Sequence, residues 1–135
     1  MTTPHQVLNP TDLAPARGFA HAVVAAGGTT VHLGGQAGHD SDGAIVSNDL
    51  VGQFDRAAAN VVTALAAAGG RPEHLVSIQI FTTDIDAYRS ARGDLSRMYR
   101  RHFGRHFPAI ALMGVTGLFD PAAKVELVCT AVIPD

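Results

Sequence analysis

The sequence predicts an α+β domain: a mixed sheet with two helices laid on one face. Three observations predict it. The hydrophobic period switches twice along the chain, from strand-like alternation to the three-four spacing of a helix and back. Each helical stretch carries one apolar stripe, which must be buried against a single surface. The last stretch, Val125 to Ile133, is rich in β-branched residues and carries apolar groups on both sides of its alternation. At 135 residues the chain is expected to form one domain, spanning 1–135. That is long enough to bury a core without disulfide or metal staples.

The head, through Arg17, is proline-rich and has room for a short edge strand at Gln6-Val7-Leu8. Ala20 to Ala25 and Thr29 to Gly35 read as two strands turned at Gly27-Gly28, a hairpin. Asp40-Ser41-Asp42-Gly43 is a turn cluster, with Ala44-Ile45-Val46 as a short extension. Leu50, Phe54, Ala57, Ala58, Val61, Leu65 and Ala68 then mark one helical face. Asn48 or Asp49 caps its start, and Gly69-Gly70 with Pro72 ends it. Leu75 to Phe81 is a strand. A second helix follows, capped by Asp84 or Asp86, with Tyr88, Ala91, Leu95, Met98 or Tyr99, and Phe103 on its stripe and Gly104 at its end. Ala109 to Val115 is extended, Gly117 and Asp120-Pro121 form a loop, and the Val125–Ile133 strand closes the chain.

Composition narrows the function. Apolar residues make up 47% of the chain and charged ones 16%, more apolar surface than so small a domain can hide, so subunit contacts are expected to cover some of it. The net charge of −2 sets up no field for nucleic acid or an anionic membrane and argues against a nucleic-acid partner. One segment is locally basic: Arg89, Arg92, Arg97, Arg100, Arg101 and Arg105. It reads as a solvated helix face, the alternative being an RNA- or phosphate-binding stripe. Exposed aromatic residues on a sheet would favour RNA, but Tyr88, Tyr99 and Phe103 fall on the apolar stripe. Cys129 is the lone cysteine and sits mid-strand, so a buried, inert thiol is expected. The N-terminus shows no basic-then-apolar leader pattern, and no apolar run approaches the ~20 residues of a membrane span. The cytoplasm is the expected compartment, with no membrane partner.

Glu126 carries the most information about chemistry. It is a lone carboxylate inside an apolar strand, where it is costly unless paired, protonated or open to a cleft. Carboxyl groups kept in such places gather at functional sites. The plainer alternative is a strand-end glutamate paired with Lys124 or Arg56 at a surface or subunit contact. No other catalytic constellation is present: HExxH, CxxC and P-loop patterns are absent. Gly34-Gly35-Gln36-Ala37-Gly38 follows a strand but opens no helix, so it is not a dinucleotide fingerprint. His102 and His106 stand four apart, but Gly104 and Pro108 break the helix that would align them on a metal. No cofactor and no metal are expected.

Six short matches, in order along the chain, give a family resemblance. They are Gly18-Phe19-Ala20-His21-Ala22-Val23, Leu33-Gly34-Gly35-Gln36, Phe81-Thr82-Thr83-Asp84, the aromatics Tyr99 and Phe103, Phe107-Pro108-Ala109, and Lys124-Val125-Glu126. Together they resemble the RidA/YjgF family, also called the reactive intermediate deaminase or UK114-type family, over Gly18 to Val132. The resemblance implies a chorismate-mutase-like α+β fold. It implies a homotrimer whose sheets pack face to face into a central barrel, with small-molecule metabolites bound in clefts between adjacent subunits. In the deaminating members, the arginine of a Pro-Ala-Arg segment grips a substrate carboxylate, and the strand glutamate positions or activates water. Imines or enamines are thereby hydrolysed to 2-oxo acids and ammonia.

The chain departs from that pattern where the substrate would be held. Ile110 occupies the arginine position and cannot bind a carboxylate. Leu112 replaces a cysteine, Phe19 a tyrosine, Gly34 a serine, and Ser96 an asparagine of the second helix. Losing a fully used bidentate contact costs several kcal/mol, on the order of a hundredfold in affinity. Efficient hydrolysis of 2-iminopropanoate-type acids is therefore not expected. Arg17 or His21 are the nearby groups able to replace the anchor. On this alignment the substrate residues are Phe19, His21, Gly34, Ser96, Ile110, Leu112 and Gly114. Met113 is a further apolar wall, Glu126 the acid/base, and His21 a second proton carrier. The expected function is enzymatic, on a small imine, enamine or related unsaturated carbonyl compound. The alternative is a non-catalytic metabolite-binding or protein-protecting trimer.

Overall fold

In the computed structural model, which describes residues 2–135, the chain runs β1 (Gln6–Leu8), β2 (Ala22–Val24), β3 (Gly28–His32), α1 (Leu50–Ala67), a 3₁₀ turn (Pro72–His74), β4 (Leu75–Thr82), α2 (Ile85–Ser90), α3 (Arg92–Phe103), β5 (Ala109–Gly114) and β6 (Val125–Pro134). The main sheet has the order β3-β6-β4-β5. Its first two pairings are antiparallel and the β4–β5 pairing is parallel, so the sheet is mixed as expected.

Both long helices pack on one face of this sheet. Phe54, Ala57, Ala58, Val61 and Leu65 of α1 meet Leu127, Cys129 and Ala131 of β6 in one buried core. Leu95, Tyr99 and Phe103 of α3 and Ile78 and Ile80 of β4 complete it. Alanines at three-four spacing let α1 approach the sheet closely. Asp49 caps α1 by accepting from the backbone N–H of Gly52 at 3.1 Å. Asp84 caps α2, accepting from Ala87 at 2.9 Å. The second helix expected from the sequence is broken at Ala91 into α2 and α3, with Gly93 just beyond the break.

The expected hairpin between the second and third strands does not form. β2 pairs with β1 instead, and β3 pairs with β6. Ala20, just before β2, bridges to Ala109 of β5, its N–H donating to Pro108 O at 2.9 Å. The physical reason is that β2 is only three residues long and half-exposed, so its hydrophobic pattern specifies a partner weakly. The β1–β2 pair therefore lies toward the β5 end of the sheet, where the segment joining its strands brings Arg17 and Phe19 beside β5 and α3. No helix among the described residues is long and apolar enough to cross a membrane.

Candidate functional site

Register decides which site residues share a face. Phe81 of β4 stands opposite Glu126 on one side and Met113 on the other. Directly paired residues project to the same side of a sheet, so Glu126, Phe81 and Met113 form a row on the face away from the helices. Ile80 stands opposite Leu127 and Leu112, and Ile78 opposite Ile110 and Cys129. Ile110 and Leu112 therefore face the helix side. Within the chain, Glu126 and Ile110 lie on opposite faces of the sheet.

The surroundings of Glu126 are built by a local slip in strand pairing. His32 pairs with Thr130, but Gln36 pairs with Leu127, so the β3 side gains one residue across Leu33-Gly34-Gly35. That is a β-bulge, a device that re-aims side chains. The carboxylate of Glu126 lies directly over Gly35: a methyl group added there would sit 2.7 Å from Oε2. Glu126 is half-buried, and among the described residues it makes no ion pair and no side-chain hydrogen bond. The pairing with Lys124 or Arg56 that would make it a plain surface contact is not present. Lys124 Nζ donates to Asn48 O at 2.5 Å and Arg56 Nε to His39 O at 3.2 Å.

A separate cleft of about 610 Å³ lies between α3, β5 and the Arg17–Phe19 segment. Ile80, Ile110 and Leu112 form one wall, and Tyr99 and Phe107 part of another. The two aromatic rings stack at 5.1 Å and 7°, and Tyr99 Oη donates to His106 O at 2.7 Å, which fixes the wall in place. Burial pushes the Tyr88 hydroxyl, also on this cleft, up to about 12 and raises that of Tyr99 further, so both stay protonated at neutral pH. Phe19 and Ser96 also line this cleft.

The remaining predicted residues lie elsewhere. The ring Nε2 of His21 is 2.7 Å from Ala14 O, its backbone N–H donates to Asn9 Oδ1 at 2.9 Å, and its ring meets Phe19 edge-on at 5.1 Å. It pins the N-terminal segment and touches the cleft only through Phe19. Gly34 is open to solvent, and the glycine that gives Glu126 its room is Gly35. Gly114 ends β5 against Ile85. His102 and His106 turn to different partners, Asp55 at 2.5 Å and Leu75 O at 2.7 Å.

Arg17, Arg92 and Arg100 also line the cleft. Arg92 and Arg100 were not singled out from the sequence as site residues, although a signal was there. They stand four residues before and after Ser96, so all three share one helical face. The locally basic segment thus divides. Arg89, Arg97 and Arg101 are ion-paired with Asp86, Asp94 and Asp55, while Arg92, Arg100 and Arg105 have no acidic partner among the described residues, and of these three Arg92 and Arg100 line the cleft.

A mixed α+β sheet with both helices on one face, a bulge-framed glutamate on the other and a cleft at the β5 edge defines a chorismate-mutase-like α+β fold. The family model described as Endoribonuclease L-PSP matches residues 10–133, and the chain belongs to that family, which includes the Rid, YjgF and UK114 proteins. The chain is similar to a protein of unknown function of the conserved Rid family, YyfB, from Yersinia pestis: TM-score 0.86, 28% identity, with 96% of this chain and 98% of that one covered. It is also similar to RidA from the Antarctic bacterium Psychrobacter, at TM-score 0.68, 25% identity, and 92% and 97% coverage. A member of the YjgF/YER057c/UK114 family from Mycobacterium tuberculosis gives 0.65, 25%, and 86% and 87%. Identity barely differs among the three, yet the backbone path follows YyfB more closely than the other two. No curated protein matches the chain.

Proposed function

We propose that this protein acts in the cytoplasm as a homotrimer on a small imine, enamine or related unsaturated carbonyl metabolite, in a cleft shared by adjacent copies, with Glu126 as acid/base. One observation carries the reading: a carboxylate with no partner is held over Gly35 on the face that a second copy would cover. Val128 and Phe81 flank it, half-buried apolar groups that a neighbouring sheet would bury. The cleft at the β5 edge supplies the apolar walls. A second copy docking that edge beside Glu126 would complete the site.

Hydrolysis then needs only orientation and a proton shuttle. Water attacks the imine carbon, Glu126 takes a proton from the water, and the nitrogen receives it. The resulting carbinolamine loses its hydroxyl proton to Glu126, the C–N bond breaks, and ammonia leaves with that proton as the carbonyl forms. Isomerisation of an enamine uses the same carboxyl, which protonates carbon. With Ile110 in the strand, 2-iminopropanoate is a poor substrate.

Glu126→Gln tests the role of the carboxyl. Ammonia release from a panel of imines, generated in situ by an amino-acid oxidase, should fall at least a hundredfold while the trimer persists on gel filtration. Undiminished release, or a wild-type protein that turns over none of the panel, overturns the catalytic reading; the latter leaves the metabolite-binding trimer. Ile110→Arg should raise turnover of 2-iminopropanoate.

A further inference from the structure

We infer that the cleft between α3 and β5 takes an organic anion with a bulky apolar body, its charged group held beside Ser96 by Arg92 and Arg100, with Arg17 across the opening. The anchor that Ile110 removes from the strand is thus moved to the helix. The inference rests on the proposed function only in taking this cleft as the substrate's seat.

Charge is the first support. Arg92, Ser96 and Arg100 succeed one another by about 6 Å along the axis of α3, and both guanidinium groups are exposed and free to converge on a group beside the serine. Arg17 lines the same cleft and also has no acidic partner among the described residues. Three like charges around one concavity with apolar walls build a positive potential that only an anion relieves. Guanidinium is also the side chain best shaped for carboxylate or phosphate. Of the other four arginines of this segment, Arg89, Arg97 and Arg101 are paired with aspartates and Arg105 lines different cavities, so the surface is not a continuous phosphate-tracking stripe.

Size and polarity are the second support. A cleft of about 610 Å³ falls in the range that encloses a ligand far larger than a three-carbon acid. Its walls at Ile80, Ile110 and Leu112 offer no polar group. The apolar body belongs against β5 and the charge against α3.

Isothermal titration calorimetry of the full chain tests this with 4-phenylbutanoate, phenyl phosphate, 4-phenylbutan-1-ol and pyruvate. At least one of the two aryl anions should bind tenfold or more tighter than both the alcohol and pyruvate. The two anions compared with each other decide between carboxylate and phosphate. Arg92→Gln with Arg100→Gln should weaken the preferred anion at least tenfold and leave the alcohol unchanged. These side chains are exposed, and thermal unfolding checks that the variant folds. Equal binding of alcohol and anions, or an unchanged affinity in the double variant, overturns the inference. So does a short single-stranded oligoribonucleotide that binds more tightly than either aryl anion. Because these titrations read binding and not turnover, failure here is separable from failure of the proposed chemistry, which ammonia release from the wild type reports.

Discussion

Gly35 and Gly28 show how one atom can cost function in one place and stability in another. A methyl at position 35 would meet the far end of the Glu126 side chain, Oε2 at 2.7 Å and Cδ at 2.8 Å. A flexible side chain can swing away, so Gly35→Ala should cost less than about 1 kcal/mol of stability. It should nevertheless cut Glu126-dependent turnover tenfold or more, because the carboxyl loses its seat. At position 28 the methyl would meet backbone, 2.1 Å from Ile133 O, and the β3–β6 ladder would have to part. Gly28→Ala should therefore destabilise by about 1–3 kcal/mol. Chemical denaturation beside a turnover assay reads both; equal stability losses would show that the carboxyl is not seated on Gly35.

Helix α1 is tied to the site-bearing strand through Gln53. Its side chain is fully buried; Nε2 donates to Ser47 O at 2.9 Å and Ala122 O at 3.0 Å, and Oε1 accepts from Lys124 N at 2.7 Å. One amide thus satisfies backbone groups on both sides of the core and holds the entrance to β6, two residues before Glu126. Gln53→Leu orphans those groups, and each buried orphan costs about 1–3 kcal/mol. The urea midpoint should fall by the equivalent of about 2 kcal/mol or more; a loss below ~0.5 kcal/mol would mean that water replaces the amide. The break at Ala91 matters as well, because it sets α3 at the angle from which Arg92, Ser96 and Arg100 face β5.

Across the whole molecule, periodicity revealed the strands and helices that face the core, since burial enforces a regular pattern. Leu127, Cys129 and Ala131 could be assigned to one side of their strand in this way. What stayed hidden depended on partners far away in sequence. The partner of β2 is set by a three-residue strand with little to bury. The separation of Glu126 from Ile110 follows from register, and a one-residue slip would reverse it. Arg92 and Arg100 were visible as basic residues, but their lack of acidic partners is a fact of three dimensions.

Acid should expose a further property of the assembled fold. His106 is buried with its ring on Leu75 O, and burial holds its pKa below the usual 6.5, only partly offset by that hydrogen bond. The unfolded chain takes up this proton first. The stability that depends on a neutral His106 is thus complete above about pH 6.5 and is lost as pH falls through the lower folded value. Unfolding midpoints measured from pH 7.5 down to pH 5 should decline, and His106→Gln should flatten the decline. An identical slope in the variant would assign the effect to another group.

Cys129 lies under α1, 1% exposed, with its thiol pushed up to about 12 by burial. A thiolate is the reactive form, so in the folded protein this sulfur is silent toward maleimides and mild oxidants. A spectroscopic reporter attached to an introduced cysteine, at exposed Phe119 for instance, would therefore give a signal from that position alone, with the native thiol left in place.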